Sequence, residues 1–337
     1  MSVYRRRVQL VAGSTLSITL PKDWARIVGI KPGTELTMKI LPDGSLLIYP
    51  PSRSDEIHSL RAVVEPRSCS DLNSIAREIL SYYLAGFHEI RVIVKNCSDE
   101  DVKRLVHFIH EKVLGLELLD EDAESITFQN VVDPESLDLN SSLKRLTRVA
   151  ISMLNDLVEA LKRRDRSILE NLVKRDDIVD KLYLLILRRL IEDTTMISNR
   201  SELRSASQAI YVSMTAKSIE RVADHVRRVA TYVLERNPRI DRDVLTLLED
   251  IRNLFEEVCR AFIELNKFKA LEIAKRVDEM RNQIKRIESL RDPLLEPLAD
   301  ALRRILAYSI DIAETILDLI ALNEALEKRF GTSNKVV

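Results

Sequence analysis

Between Gly115 and Gly331 the chain holds no glycine, a run of 215 residues in which proline occurs only at positions 134, 238, 293 and 297. Glycine supplies left-handed and sharply turned backbone, and proline interrupts helices. A stretch this long without the first and nearly without the second therefore reads as long helices joined by short connections. The turn-forming glycines at 13, 29, 33, 44, 86 and 115 crowd the beginning instead. With 337 residues in all, the chain is expected to divide into several domains.

Residues 1–53 alternate apolar and polar residues in short runs, Leu16-Ser17-Ile18-Thr19-Leu20 and Glu35-Leu36-Thr37-Met38-Lys39-Ile40. Asp43-Gly44 marks a hairpin turn before Leu46-Leu47-Ile48. Pro50-Pro51-Ser52-Arg53-Ser54 then reads as a stiff polar linker. Over 58–132 strand-like and helix-like periods alternate as βαβαββ: strands at 61–64, 90–94, 116–118 and 125–131, and helices from Asp71 to Leu84 and after Ser98. Ser70 or Asp71, and Ser98 or Asp99, offer side-chain oxygens to cap those helices. The span 140–330 reads as six helices, 140–164, 167–192, 200–236, 240–265, 268–290 and 293–329, with Ser167 to Glu170 as a capping box and Asp292-Pro293 as a cap. Three helices followed by three suggest a duplication, in which Lys174-Arg175-Asp176-Asp177 falls against Lys275-Arg276-Val277-Asp278. The fold class expected is multidomain: a β-rich N-terminal module, a small α+β middle domain and an all-α C-terminal domain.

In the second of those helices Leu169, Leu172, Asp176, Val179, Tyr183, Ile186 and Leu190 follow spacings of three and four, the seam of a packed helix. A carboxylate in such a seam needs a partner, a metal or nearby solvent. Asp180 stands one turn on. The third helix has a seam of Ala209, Val212, Ala216, Ile219, Ala223, Val226, Ala230 and Val233, with Glu220 and Asp224 four apart beside it. Two such pairs on facing helices would gather four carboxylates, a donor set for hard or borderline cations. The same spacing also suits solvated faces whose salt bridges come from Lys174, Arg175, Lys217 and Arg221.

Asp176-Asp177-Ile178-Val179-Asp180 and Glu220-Arg221-Val222-Ala223-Asp224-His225 resemble the paired acidic motifs of the PhoU family, and the resemblance runs over about 140–330. It implies tandem three-helix bundles, a phosphate-signalling adaptor that represses phosphate uptake, and a divalent or trivalent metal (iron, zinc, magnesium or manganese) held by Asp176, Asp180, Glu220 and Asp224. Partners implied are a phosphate transporter ATPase or a sensor kinase. The second half departs from the pattern: Asp278 is followed by Asn282, Ala307 precedes Asp311, and Glu314 with Asp318 is the only clean pair. His225 is a further candidate ligand, weighed against a surface or capping role.

Gly13 to Trp24, with its Leu20-Pro21-Lys22 helix start, then Gly29-Ile30-Lys31-Pro32-Gly33 and Asp43 to Ile48, resemble the AbrB/MazE swapped-hairpin domain. That likeness implies an intertwined homodimer and, in many members, DNA binding. Residues 1–53 hold eight Lys and Arg against three Asp and Glu, so the DNA contacts expected are Arg5, Arg6, Arg7, Lys22 and Arg26. The reading that competes is a module that only dimerises.

Lys and Arg (52) nearly balance Asp and Glu (53) over the whole chain, so any charge-driven contact must be local. Cys69, Cys97 and Cys259 are odd in number and lack CxxC spacing, from which we expect no disulfide, no thiolate zinc and a reducing, cytoplasmic setting. No apolar run is long enough for a membrane span, so no integral membrane protein is expected. No Walker loop or nucleophile elbow occurs, and the expected protein is not an enzyme. Three functions compete: a DNA-binding, metal-binding repressor; an adaptor with neither; and a ferritin-type di-metal redox enzyme. The last lacks the Glu-x-x-His pairs it would need.

Overall fold

The structure is a computed structural model that describes residues 3–11, 13–40, 45–49, 60–95, 97–132, 138–195, 206–289 and 295–330. Two compact units, Met1–Leu60 and Arg61–Val337, make up the chain.

The first unit contains two antiparallel ribbons. Strand β1 (Gln9–Val11) pairs with β2 (Thr15–Ser17), helix α1 (Lys22–Ile27) follows, and β3 (Thr37–Ile40) pairs with β4 (Leu46–Tyr49). The strand expected over 16–20 begins at Thr15 and stops at Ser17, because β1 offers only three residues to pair with. The Asp43-Gly44 turn and the Pro50 to Ser54 linker lie outside the described residues. None of the described side chains in this unit is buried, and Leu10, Leu16, Ile27, Met38 and Ile40 are all exposed.

The second unit opens with a four-stranded sheet ordered β5-β6-β8-β7, from β5 (Arg61–Val64), β6 (Glu89–Ile93), β7 (Leu116–Glu121) and β8 (Ser125–Asn130). Strands β5 and β6 are parallel, and the other pairings are antiparallel. Helices α2 (Leu72–Leu84) and α3 (Asp99–Lys112) cross over between strands. Asp71 accepts from the Ser74 N–H and Ser98 from the Asp101 N–H, both at 3.1 Å, so each helix is capped by a local side chain.

The parallel pair overturns the expectation of free thiols. Parallel β5 and β6 deliver both strand-to-helix loops to the same edge of the sheet, which brings Cys69 and Cys97 to a Cα–Cα distance of 5.2 Å, and they form a disulfide. Only Cys259 is free, buried in the helical core. The argument for a reducing compartment from cysteine usage falls with that correction.

Six helices complete the unit: α4 (Leu139–Arg163), α5 (Arg166–Thr195), α6 (Ala206–Arg236), α7 (Arg242–Glu264), α8 (Lys267–Ser289) and α9 (Glu296–Phe330). Both seams read from the sequence face inward, and one apolar core runs through all six helices, with Leu154, Ile186, Ile219, Val258, Ile273 and Ile305 fully enclosed. The first connection corrects the capping box. Asp165, not Ser167, is the cap: its side chain accepts from the N–H groups of Ser167 and Ile168, so α5 starts at Arg166. The Asp292-Pro293 cap and the chain from 200 to 205 lie outside the described residues. Among the described residues no helix is long and apolar enough to cross a membrane.

A buried arginine helps join the sheet layer to the bundle. Arg188 of α5, 5% exposed, donates to the carbonyls of Tyr83 (2.5 Å), Phe87 (2.9 Å) and Gly86 (3.3 Å) at the end of α2. Its Nε pairs with Glu192 at 2.9 Å, and its guanidinium lies 4.8 Å from the Tyr83 ring centroid. Carbonyls at and just past a helix C-terminus are short of donors; the Tyr83 carbonyl also accepts from the Gly86 N–H at 3.1 Å, and Arg188 adds donors from outside.

Candidate functional site

Helices α5 and α6 pack side by side, and their seams place Asp176 and Asp180 opposite Glu220 and Asp224. Asp176 and Glu220 are buried, at 7% and 8% exposure. Burial first, then the charges of Asp180 and Asp224, push Asp176 up to about 6 despite the opposing pull of Arg227. Asp180 is raised by burial and by Asp224 and Asp177, against the pull of Lys112 and Lys217. Glu220 is raised by burial, opposed mainly by its bond to Lys217, with Asp224 adding to the rise. The structure therefore brings the four sequence-derived carboxylates into one field of mutual repulsion.

Basic side chains hold that field in check. Arg227 reaches across with Nε 2.6 Å from Asp176 and Nη2 3.3 Å from Asp224. Arg221 pairs with Asp224 at 3.2 Å and stands 3.7 Å from Glu220, which Lys217 contacts at 2.9 Å. Lys112, the last residue of α3, comes from the sheet layer and pairs with Asp177 at 2.7 Å and Asp180 at 3.9 Å. Burial works against its charge, but the bond to Asp177 and the charges of Asp177, Asp180 and Asp176 raise its pKa on balance.

Sequence reasoning found Lys217 and Arg221 but not Arg227 or Lys112. Arg227 could have been read from its position three residues after Asp224. Lys112 had no local signal, since it arrives from another layer. Arg175, expected near the acidic pairs, turns instead to Asp156 (2.5 Å) and Ser152 (3.1 Å) on α4. His225 is buried rather than on the surface, its ring 6.0 Å from that of Tyr308 on α9, and burial lowers its pKa. Glu314 and Asp318 of the second half are exposed, so they form no buried counterpart.

The four carboxylates meet the needs of a cation only in part. Glu220 Oε2 is buried without a hydrogen-bond partner, and the all-oxygen donor set suits a hard ion. Among the described residues, however, no three His, Cys, Asp or Glu side chains close into a coordination shell, because Arg227 bridges Asp176 and Asp224.

The pH dependence follows from Asp176. An aspartate raised in the folded state holds more protons folded than unfolded between its ordinary 3.8 and about 6. Its contribution favours folding at low pH and is lost as pH rises through the folded value. In chelator-treated buffer the native chain should lose about 2 kcal/mol relative to Asp176→Asn between about pH 4 and about pH 7, read from urea midpoints. A difference that stays flat with pH would contradict the buried, mutually repelling arrangement.

These features define a helical-bundle protein that carries two acidic pairs on adjacent helices and a β-rich module before them. Residues 143–233 match the PhoU domain and residues 9–56 match the antidote-toxin recognition MazE bacterial antitoxin family. The chain is 30% identical over 182 residues to a phosphate-specific transport system accessory protein PhoU homolog of Deinococcus radiodurans, covering 53% of this chain and 76% of that protein. A homolog of the same description from Clostridium acetobutylicum is 24% identical over 165 residues, 47% of this chain and 74% of its own length. The Escherichia coli protein is matched over 58% of its length, at 28% identity and 43% of this chain. The chain belongs to the PhoU family.

Proposed function

We propose that this chain is a regulatory accessory protein of phosphate uptake, acting as an adaptor through its helical unit and forming a DNA-contacting homodimer through residues 1–53. Family membership carries the accessory role: the relatives are by name accessory proteins of phosphate-specific transport systems, and the matched segment includes both acidic pairs. A phosphate transporter ATPase or a sensor kinase is the partner this role requires. Deleting the gene should raise phosphate accumulation in phosphate-replete cells, and the intact gene should restore repression. Unchanged accumulation would remove the role.

The dimer and DNA readings rest on the first unit. Two short ribbons with no buried side chain have no core of their own, and isolated two-stranded ribbons are marginal in water. A second copy would cover Leu10, Leu16, Met38 and Ile40. Doubling also concentrates the positive charge of Arg5, Arg6, Arg7 and Lys22, which have no ion pairs among the described residues. Arg26 contributes less, because Asp23 pairs with it at 2.7 Å. Duplex affinity of the full chain should fall about a hundredfold between about 50 and about 200 mM salt. An Arg5, Arg6, Arg7 triple alanine variant with the same affinity would leave dimerisation as the module's only task.

A divalent or trivalent metal is the third part of the proposal. Asp176, Asp180, Glu220 and Asp224 would hold it, and it would supply compact positive charge where Arg227 now lies. Glu220 Oε2, buried and without a hydrogen bond, supports this reading.

A further inference from the structure

At one end of the bundle, where the α4–α5 and α6–α7 turns meet, a cavity of about 410 Å³ opens. Among the described residues its charged lining consists of arginines: Arg164 in the first turn, Arg166 at the start of α5 and Arg239 in the second turn. Leu161, Leu169 and Ile240 supply apolar wall. Arg166 is anchored, donating to the Leu234 carbonyl at 3.2 Å.

Several other arginines of this unit pair with carboxylates. Arg163 pairs with Glu159 at 3.1 Å, Arg260 with Glu256 at 3.3 Å and Arg303 with Asp300 at 2.9 Å. None of the three cavity arginines meets a carboxylate among the described residues. The turn itself does not demand them either. The same left-handed turn recurs from Arg164 (φ 56°) to Leu265 (φ 49°). The Asp165 N–H bonds to the Ala160 carbonyl as the Asn266 N–H bonds to the Ala261 carbonyl, at 3.0 and 2.9 Å. There the fold is satisfied by Leu265-Asn266-Lys267, so the guanidinium at 164 is surplus to folding.

Arg164, Arg166 and Arg239 are exposed and line one cavity, so their guanidinium groups are open to an anion from solvent. A guanidinium fork matches phosphate oxygens, and a cavity of this size, with mixed apolar and cationic walls, suits a small molecule rather than a bare ion. We propose that this cavity binds a small soluble phosphate ester, its phosphate held by Arg164, Arg166 and Arg239 and its organic body lying against Leu161, Leu169 and Ile240. Arg166 precedes Asp176 by ten residues, about 15 Å along α5, so this site does not rest on the acidic cluster or on its metal.

Calorimetric titration of the full chain decides it, with adenosine monophosphate and inorganic phosphate as probes, chloride-matched buffer as control, and phosphatidic acid vesicles as the lipid source of phosphate. The nucleotide should bind with a Kd below about 1 mM, and inorganic phosphate should bind about tenfold or more weakly. Arg164→Gln with Arg239→Gln should weaken nucleotide binding by about tenfold or more, since charge-assisted bonds are lost, and leave the ligand-free thermal midpoint unchanged. The proposal is overturned by any of three results: no nucleotide binding at about 10 mM, equal nucleotide affinity in the double variant, or binding confined to vesicles. Equal affinity for the nucleotide and inorganic phosphate would overturn the ester assignment.

Discussion

Replacing Arg188 with methionine should destabilise the second unit by about 3–5 kcal/mol, the largest effect expected of any single substitution in the joint between sheet and bundle. Methionine fills much of the volume but donates nothing. The carbonyls of Tyr83, Gly86 and Phe87 would lose the Arg188 donors, and Glu192, partnered at 2.9 Å, would be left charged and poorly solvated. Arg188→Lys should fall between the two, because an ammonium carries the charge without the planar fork that reaches several carbonyls at once. Urea unfolding followed by hydrogen exchange would show where the loss falls: the amides at the end of α2 and in β6 should exchange faster before the bundle does. A methionine variant within about 1 kcal/mol of wild type would mean that apolar contacts alone hold the layers together.

Arg227→Gln should cost about 2 kcal/mol at pH 7, below the figure for a fully buried pair because the guanidinium is one-third exposed. The loss should shrink toward pH 5. Without the guanidinium, Asp176 rises further above its present value of about 6, and protonation removes the unpaired charge. If the four carboxylates can take up a cation, magnesium or manganese at millimolar levels should stabilise the glutamine variant more than the native chain, in which Arg227 competes for the same oxygens. Asp176→Asn combined with Asp224→Asn should abolish that response. Equal stabilisation of all variants would remove the metal from the proposal while leaving the acidic cluster as a structural feature.

Both acidic pairs were legible before any coordinates, for a physical reason. Spacings of three and four on a helix determine which side chains share a face, so Asp176 fell in an otherwise apolar seam, while the spacing alone left a solvated, salt-bridged face open. The charge that answers it was only half legible. Lys217 and Arg221 lie within one turn of Glu220, whereas Lys112 approaches from α3 across the sheet layer and leaves no periodic trace near 176–180. The misplaced cap has a local explanation: Ser167 and Asp165 both offer oxygens at that turn, and the left-handed backbone at Arg164 aims Asp165 at the free N–H groups.

By itself the sequence determined what depends on neighbours a few residues apart: the long helices between Gly115 and Gly331, the capped helix starts at 70–71 and 98–99, the helical seams and the family motifs they carry. Tertiary structure alone decided what joins distant residues: the Cys69–Cys97 bond, the Arg188 joint, the Lys112 contact and the arginine-lined cavity. Local patterns recur with the period of a helix or strand and can be read along the chain. Contacts between layers depend on how whole elements pack, and no spacing in the sequence records that.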